Sequence, residues 1–351
     1  MSVEFLLCLA ALFGLAAIGA PIAYAILTGA LVYLAASDRG VGVAGKVLLD
    51  GLYSGFVLLA VPLFIVAANI MNAGTISDRL LSFCVALVGR FRGGLGHVNV
   101  VASLIFSGMS GSAVADAAGI GKIIIGMMTK TGHYTRGYAA AITAASATIG
   151  PIVPPSIPMV LYALVSNTSI GYLFLAGIVP GLVMALVLMG LNAWLSHRRR
   201  FAIEPGVPLN EVPRLTLRAF PALLMPAILL YGIYGGVTTP TEAAAVAAFY
   251  ALLLAAIVYR AVSLRELFTI LVDSARSSAA VGIVIGGALI LNFVVASENI
   301  PDLLARALVD LDVHPLAFLL AVNLLLLLLG CVLDATTIIL VILPLFLPTC
   351  R

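Results

Sequence analysis

The chain has 351 residues, of which 63% are hydrophobic and only 9% are charged, and its mean hydropathy is +1.20. A soluble domain carries about 25% charged residues, so the composition excludes a soluble globular protein. Eighteen basic against 15 acidic residues leave a formal net charge of +3, too small to indicate nucleic-acid binding. Because one membrane-crossing helix needs about 20 apolar residues, the length allows on the order of ten crossings. The composition therefore predicts an all-α polytopic membrane protein.

Cysteine and histidine spacing argues against a metal cluster and a disulfide framework. The cysteines lie far apart in apolar sequence, so we predict that they are small buried hydrophobic side chains. The histidines stand singly near the predicted membrane edges. These residues are Cys8, Cys84, Cys331, Cys350, His97, His133, His197 and His314. The sequence predicts no transition-metal site and no cofactor.

Apolar segments recur along the whole chain between short polar turns. They fall at 3–19, 21–36, 55–72, 98–108, 112–128, 137–164, 171–196, 219–236, 241–259, 277–296, 315–330 and 331–348. Within 98–128 and within 315–348 the paired segments are too short to cross singly, and we expect each pair to form a re-entrant hairpin. The stretches 75–92 and 299–311 are amphipathic, which is typical of helices along the membrane interface.

The distribution of basic residues predicts the orientation. The strongest basic run is 197–200, which the positive-inside rule assigns to the cytoplasm. If 98–128 enters and leaves by the same face, further basic residues share that side. These are Arg90, Arg92, Lys130 and Arg136. The same orientation puts Arg39 and Lys46 outside, against the rule.

The order of segments repeats once along the chain. Pro21 and Pro240 are 219 residues apart, and so are Gly111 and Gly330. The predicted orientations of the two halves are opposite, so we interpret them as inverted repeats; chance similarity among Leu/Ala-rich helices is the alternative. Inverted repeats with discontinuous helices are typical of secondary transporters, whose substrate and ion sites lie near the bilayer midplane.

The tip of the first hairpin concentrates small and oxygen-bearing residues. Ser110, Gly111 and Ser112 allow a tight reversal and leave hydroxyl and carbonyl oxygens free for a small cation. Asp116 follows four residues later, and a carboxylate at membrane depth suggests a functional role. The alternative role of Asp116 is to cap the second arm.

A proline-rich break interrupts the segment 137–164. Gly150, Pro154 and Pro155 prevent one continuous helix because each proline removes a backbone donor. The broken ends leave carbonyls for a cation, with Thr148 nearby, and N–H groups beside Ser156 for a carboxylate. A plain proline kink is the alternative.

The second hairpin tip carries Gly330, Asp334, Thr336 and Thr337. Asp334 stands 218 residues after Asp116, close to the repeat shift. We therefore expect each tip to hold a carboxylate at a similar place.

One enzyme motif stands at the first tip. Residues 108–111 fit G-x-S-G, the nucleophile pattern of rhomboid-type intramembrane serine proteases. That chemistry needs a histidine within hydrogen-bond reach of the serine, and no histidine lies in the middle of a predicted crossing. We therefore predict a protein that is not an enzyme.

Four stretches together resemble one transporter family. They are VPLFIVAANIMNAG (61–74), GRFRGGLGHVNVVASLIFSGMSGSAVADAAGIG (89–121), GPIVPPSIPMVLYALVSNTSIGYLFLAGIVPG (150–181) and YGGVTTPTEAAAVAAFYAL (234–252). In order and spacing the chain resembles the large membrane subunit, or DctM-like M component, of tripartite ATP-independent periplasmic (TRAP) transporters.

The resemblance implies an elevator-type symporter of the bacterial inner membrane, driven by an inward Na⁺ gradient. A periplasmic binding protein would deliver an organic acid, such as a dicarboxylate or a sugar acid, and a small four-helix membrane subunit would pack on the scaffold. The implied ion-binding residues are Ser110, Gly111, Ser112 and Gly150 for the first site and Gly330, Asp334, Thr336 and Thr337 for the second. The chemistry of the residues themselves adds Asp116 and Thr148 to the predicted ion-binding residues. The implied substrate-binding residues are Pro154, Pro155 and Ser156.

The domain organisation expected from the resemblance alternates scaffold and transport regions. Scaffold helices occupy 1–94 and 219–313. The transport region comprises 95–196 and 314–351, and 197–218 forms a cytoplasmic linker. A self-sufficient divalent-anion/Na⁺ symporter is the alternative within transport.

Two departures from the family pattern stand out. Ile125-Gly126-Met127-Met128 replaces the usual Ile-Pro-x-Met after the first hairpin. The repeat shift would place a second Pro-Pro break beyond Arg351, so we expect the sequence to be truncated at its C-terminus.

Overall fold

The computed structural model describes residues 2–37, 39–72, 75–166, 168–204, 206–300, 303, 314–331 and 333–346. Regular structure in these residues is helical, apart from an isolated bridge between Arg92 and Ile203. The α-helices are Val3–Ala17 (α1), Ile22–Ala36 (α2), Gly42–Ser54 (α3), Ala60–Met71 (α4), Thr75–Val88 (α5), Gly94–Ser110 (α6), Ala113–Asp116 (α7), Lys122–Lys130 (α8), Arg136–Ala147 (α9), Ile157–Ser166 (α10), Ile170–Arg198 (α11), Val212–Tyr234 (α12), Pro240–Leu253 (α13), Leu264–Ser297 (α14), Pro315–Gly330 (α15), Ala335–Thr337 (α16) and Leu343–Phe346 (α17).

Several helices are long and apolar enough to cross a membrane. The four that reach this length are Ile170–Arg198, Val212–Tyr234, Pro240–Val258 and Leu264–Ser297, among the described residues. The last of these has a mean hydropathy of 2.4 over its most apolar window. The described part of the chain, built of repeated apolar helices, is that of a multi-pass membrane protein.

The helices differ from the sequence expectations in three places. Residues 42–54, which lie between the predicted apolar segments 21–36 and 55–72, form α3; α12 begins at Val212 rather than at 219; and α14 begins at Leu264 rather than at 277. The extra residues of α14 contain neither proline nor glycine, Pro213 stands in the first turn of α12, where proline is tolerated, and α3 forms in spite of three glycines. Each of these stretches contains charged residues, which a search for apolar segments excludes. The amphipathic stretch 299–311 lies almost entirely outside the described residues.

Two compact units make up the chain. The first comprises Met1–Leu58, Leu161–Asn167 and Ser277–Arg351, and the second comprises Leu59–Val160 and Thr168–Arg276. In the second unit, α6 packs against α5, α9 and α11, and α4 packs against α13. The amphipathic α5 buries Ile76, Leu80 and Cys84 and packs on α6 and α12.

The cysteine prediction holds for two of the three described cysteines. Cys8 and Cys84 are fully buried, whereas Cys331 is exposed, so the prediction is wrong for Cys331. Cys331 follows the last residue of α15, where no neighbouring helix covers it among the described residues. Cys350 lies outside the described residues.

The first unit depends on close contact between α1 and α2. A side chain at Gly29 would place its Cβ 2.9 Å from the Cys8 carbonyl oxygen and 3.1 Å from Leu12 Cβ. The backbones therefore approach each other at a distance that small residues permit, as is common between membrane helices. Cys8 and Leu12 belong to the same buried cluster as Val294 of α14.

We expect Gly29→Ala to lower the free energy of unfolding by about 1–3 kcal/mol, because the added methyl group overpacks this contact. Gly14→Ala is the matched control, since no atom lies within 4 Å of its added Cβ, and it should be neutral or stabilising by up to about 1 kcal/mol. Thermal unfolding in detergent measures both. Equal midpoints for the two variants would contradict the packing account.

Candidate functional site

Helix α6 ends at Gly111, the predicted tip of the first hairpin. This glycine ends α6 with φ of +60°, a left-handed conformation that glycine adopts without strain. A Cβ at Gly111 would lie 2.6 Å from the carbonyl oxygen of Pro155 and 3.0 Å from Ser156 Cα. The tip of the hairpin thus lies directly against the proline-rich break.

Ser112 starts the second arm. Its hydroxyl accepts a hydrogen bond from the Ala115 N–H at 3.4 Å, so Ser112 is the N-cap of α7. A π-helical turn at Ala117–Gly121 leads into α8, which packs against α6 and α9. The alternative that Asp116 caps this arm is therefore wrong, because Ser112 occupies the capping position.

Asp116 is buried, and one of its two carboxylate oxygens has no hydrogen-bond partner among the described residues. The residue is 2% exposed, and Oδ1 accepts a hydrogen bond from the Ser110 hydroxyl at 2.5 Å. Oδ2 has no hydrogen-bond partner among the described residues. A Cβ at Gly150 would lie 2.8 Å from this oxygen and 3.2 Å from the Ser112 carbonyl carbon. An unpartnered buried carboxylate oxygen is costly, so this position is suited to a ligand that the oxygen can bind.

The break predicted within 137–164 is confirmed. Helix α9 ends at Ala147, α10 begins at Ile157, and the residues between them are non-helical. Ser156 is fully buried, and its hydroxyl donates to the Pro151 carbonyl at 2.5 Å. The peptide bond between Pro154 and Pro155 is cis.

The structure brings together most of the residues predicted for the first site. The tip, Asp116 and Gly150 are neighbours, and Ser156 adjoins Gly111. Thr148 differs, because its hydroxyl is exposed and donates to the Ala145 carbonyl at 2.7 Å. Its side chain is engaged within its own helical turn.

A buried polar network joins α6 to α9 beside this site. The Asn99 amide donates to the Thr143 hydroxyl at 2.6 Å, and the Ser146 hydroxyl accepts from the Ser103 hydroxyl at 2.9 Å and donates to Asn99 Oδ1 at 3.1 Å. All four side chains are 3% exposed or less. Sequence reasoning missed Asn99, Ser103 and Thr143. The signal was the four-residue spacing of Asn99, Ser103 and Ser107 along an apolar helix, which places them on one face.

The second tip is arranged differently. Asp334 Oδ2 accepts from the N–H groups of Thr336 and Thr337 at 3.0 and 3.4 Å, and Oδ1 accepts from the Thr337 hydroxyl at 2.5 Å. Asp334 is thus the N-cap of α16, and it is exposed. Gly330 is the last residue of α15, with no atom within 4 Å of an added Cβ.

The two tips align at their caps. Ser112 and Asp334 are both N-caps, and each short helix that follows continues into a π-helical turn, at Ala117–Gly121 and at Ile338–Ile342. This register places Asp334 opposite Ser112 rather than opposite Asp116. The expectation that the two carboxylates occupy similar places is therefore wrong, because capping geometry and not the glycine spacing sets the register.

Comparison with known proteins identifies the family. Residues 9–351 match the family model described as tripartite ATP-independent periplasmic transporter, DctM component. The chain belongs to this family. The resemblance carried by the tip and the proline-rich break is thereby confirmed.

Relatives with established names are similar over most of the chain. The sialic acid TRAP transporter large permease protein of Vibrio cholerae is 40% identical over 336 residues, which cover 95% of this chain and 78% of the relative. The C4-dicarboxylate TRAP transporter large permease protein of Pseudomonas aeruginosa is 38% identical, with 84% of this chain and 68% of the relative covered. The 2,3-diketo-L-gulonate TRAP transporter large permease protein of Escherichia coli is 35% identical, with 98% and 80% covered.

The family membership also bears on the prediction that the protein is not an enzyme. These relatives are transporter permeases and not enzymes, which confirms the prediction from the residues. In the G-x-S-G pattern, the Ser110 hydroxyl donates to Asp116 and not to a histidine. The serine therefore belongs to the polar cluster of the tip.

We expect Asn99→Ala to destabilise this TRAP permease by about 1–3 kcal/mol, because it leaves buried hydroxyls of Thr143 and Ser146 with fewer partners. Asn323→Ala is the matched control: Asn323 is exposed and donates to the Leu319 carbonyl of its own helix, so a change within about 0.5 kcal/mol is expected. Thermal unfolding of both variants in the same detergent is the measurement. A loss for Asn323→Ala as large as that for Asn99→Ala would contradict a special role of the network.

Proposed function

We propose that the chain is the large membrane subunit of a Na⁺-coupled TRAP transporter that imports an organic acid. The single observation that carries this proposal is the contact between the hairpin tip and the proline-rich break, with the unpaired Asp116 oxygen inside it. Family membership supports transport, and the chemistry of the tip supports the choice of ion.

The oxygen-only donor set favours a hard cation. Around Gly150 the neighbouring groups are the Asp116 carboxylate, the Ser112 backbone and the Ala147 carbonyl. Hard cations bind carboxylate, carbonyl and hydroxyl oxygens, whereas transition metals prefer imidazole and thiolate. No group of three or more His, Cys, Asp or Glu side chains suited to a metal occurs among the described residues. We therefore propose Na⁺ as the coupling ion, bound by Ser110, Gly111, Ser112, Asp116 and Gly150, with Thr148 at the margin.

The start of α10 is the proposed substrate position. Pro154, Pro155 and Ser156 precede the first turn of this helix, whose dipole favours an anion. Within that turn Pro158 has no N–H and the Met159 N–H donates to the Ser156 hydroxyl at 3.4 Å, so the dipole rather than a set of free donors supports this position. The named relatives from Vibrio, Pseudomonas and Escherichia are permeases for sialic acid, C4-dicarboxylates and 2,3-diketo-L-gulonate. All three substrates carry a carboxylate, which this helix start suits.

A second Na⁺ site is proposed at Gly330, Asp334, Thr336 and Thr337. In the described arrangement the Asp334 oxygens accept hydrogen bonds from both threonines. For Na⁺ to bind there, the carboxylate must exchange at least one of these donors for the ion. The first site needs no such exchange, so we expect it to have the higher affinity.

Transport by an elevator movement is the proposed mechanism. The transport region would comprise residues 95–196 and 314–351, with both hairpins re-entrant, and the scaffold would comprise 1–94 and 219–313 joined through the cytoplasmic linker 197–218. The glycine and proline breaks support this proposal because irregular backbone at membrane depth is tolerated where it lines a site.

The proposed partners are a small four-helix membrane subunit and a periplasmic solute-binding protein in the bacterial inner membrane. The tripartite character of the matching family supports them. A self-sufficient divalent-anion/Na⁺ symporter is the alternative. Uptake into proteoliposomes with and without the binding protein separates the two, since only the tripartite system depends on it.

We expect Asp116→Asn to abolish stabilisation by Na⁺. Binding to the folded state raises stability by RT ln(1 + [Na⁺]/Kd), about 1.4 kcal/mol at ten times Kd. The measurement is the unfolding midpoint of the purified chain in NaCl relative to KCl at equal ionic strength. Asp273→Asn is the control, because Asp273 lies in an exposed pair with Arg276. A sodium-specific shift that survives Asp116→Asn would contradict the assigned ion site.

We expect Gly150→Ala to raise the Na⁺ concentration needed for half-maximal uptake by about tenfold, equivalent to about 1.4 kcal/mol. The added methyl group would lie 2.8 Å from Asp116 Oδ2 and occupy the space beside the carboxylate. Gly126→Ala is the control, with no atom within 4 Å of its Cβ. Uptake is measured in proteoliposomes with the partner subunits. Equal Na⁺ dependence in both variants would place the ion elsewhere.

A further inference from the structure

An apolar groove of about 540 Å³ lies between α9 and α11, outside the proposed ion site. Its length is lined by short and aliphatic side chains: Ala141, Ile142, Ala145, Leu188, Leu191 and Leu195. At one end it reaches Tyr138, Asn192 and Arg199. The groove therefore combines an apolar channel with a cation at its mouth.

At the mouth the side chains of Tyr138 and Asn192 are hydrogen-bonded within the protein, whereas Arg199 forms no ion pair with a described residue. The Tyr138 hydroxyl donates to Asn192 Oδ1 at 2.5 Å, and the Asn192 amide donates to the Gly93 carbonyl at 3.2 Å. The Arg199 guanidinium lies 5.8 Å from the centroid of the Tyr138 ring. A ligand of this groove would thus be recognised by charge more than by hydrogen bonds to these side chains.

The basic residues around the mouth lack acidic partners. Arg136, Arg198, Arg199 and Arg200 are exposed, and none forms an ion pair within the described part of the chain. Arg136 lies between Thr135 and Gly137, which both line the groove. This end of α9 and α11 therefore carries several basic groups without a close ion-pair partner next to apolar surface, and the carboxylate nearby, Glu204, interacts electrostatically with Tyr134.

Trp194 marks the level of this mouth in the membrane. It is the only tryptophan of the sequence, it is 55% exposed, and the Arg198 guanidinium lies 5.3 Å from its ring centroid. Exposed tryptophan concentrates at the depth of the lipid headgroups. The basic mouth then lies at headgroup level, while Ala145 and Leu188 lie toward the hydrocarbon.

We propose that this groove binds an anionic phospholipid of the cytoplasmic leaflet. One acyl chain lies along the aliphatic residues between α9 and α11, and the phosphate group lies at Arg136 and Arg199. Anionic headgroups are attracted to basic pockets between helices at the cytoplasmic face. A soluble anion would leave the apolar channel unfilled, and a zwitterionic lipid would leave the positive charge uncompensated.

The position of Trp194 provides a direct test. The chain is reconstituted into phosphatidylcholine liposomes that contain a small fraction of dibrominated phosphatidylglycerol or, in parallel, of dibrominated phosphatidylcholine, and quenching of Trp194 fluorescence is measured. We expect stronger quenching by the phosphatidylglycerol probe. Because one basic residue near the surface contributes about a fivefold preference, Arg136→Gln and Arg199→Gln should each reduce the preference by about fivefold.

Two further variants distinguish lipid binding in the groove from nonspecific electrostatic attraction of anionic lipid to the protein. Arg265→Gln removes an exposed positive charge elsewhere in the chain and should retain the preference. Ala141→Phe keeps every charge but fills the groove, and it should lose the preference. Circular dichroism verifies that each variant retains its helical content, and reconstitution is repeated with the small membrane subunit.

Four results would overturn the proposal. They are equal quenching of the unmodified chain by both probes, an unchanged preference in Arg136→Gln and Arg199→Gln, an unchanged preference in Ala141→Phe, and loss of the preference when the small subunit is present. The third result would indicate attraction to the basic helix ends without a groove site. The fourth would indicate that protein covers the groove.

Discussion

The contact between two interrupted helices is the constraint on which the candidate site depends. Helix α6 stops at Gly111 in a left-handed conformation, and a side chain there would collide with the carbonyl oxygen of Pro155. The tip and the proline-rich break can approach this closely because Gly111 has no side chain and faces backbone atoms of Pro155 and Ser156. That approach places Gly150 beside the unpaired Asp116 oxygen. A buried polar group without a hydrogen-bond partner costs free energy. A cation bound to the Asp116 oxygen would offset this cost.

The two predicted hairpin tips share a local design but differ in the hydrogen bonds of their carboxylates. Each second arm begins with an oxygen-bearing N-cap and continues into a π-helical turn, a feature frequent at functional sites. In the first hairpin Ser112 serves as the cap, which leaves Asp116 buried with one free oxygen. In the second, Asp334 is itself the cap, and its oxygens are already occupied by hydrogen bonds. The difference predicts unequal ion affinity at the two tips.

Local backbone chemistry was predictable from the sequence, and packing partners were not. Gly111 and the Gly150–Pro155 segment interrupt helices because of the residues themselves, so both breaks were predicted correctly. The start of α14 was not predicted correctly. Its first turns, from Leu264, contain polar residues, and a search for apolar segments does not detect a polar stretch that continues an apolar helix. The network of Asn99 and Thr143 also escaped prediction, since a hydrogen bond across 44 residues depends on how α6 and α9 meet. The glycine spacing predicts the wrong register for Asp334, because the N-cap and not Gly330 sets where the second arm begins.

The most direct test of the central claim is whether Na⁺ stabilises the contact between the first hairpin tip and the break. Val114 lies two residues after the cap and is 76% exposed, so Val114→Cys, in a background without native cysteines, reports on access to the tip. The measurement is the rate of maleimide labelling in NaCl and in KCl, with Gly126→Cys on α8 as reference. The account predicts that Na⁺ slows labelling at position 114 and leaves position 126 unchanged. Labelling at position 114 at the same rate in both salts would contradict it.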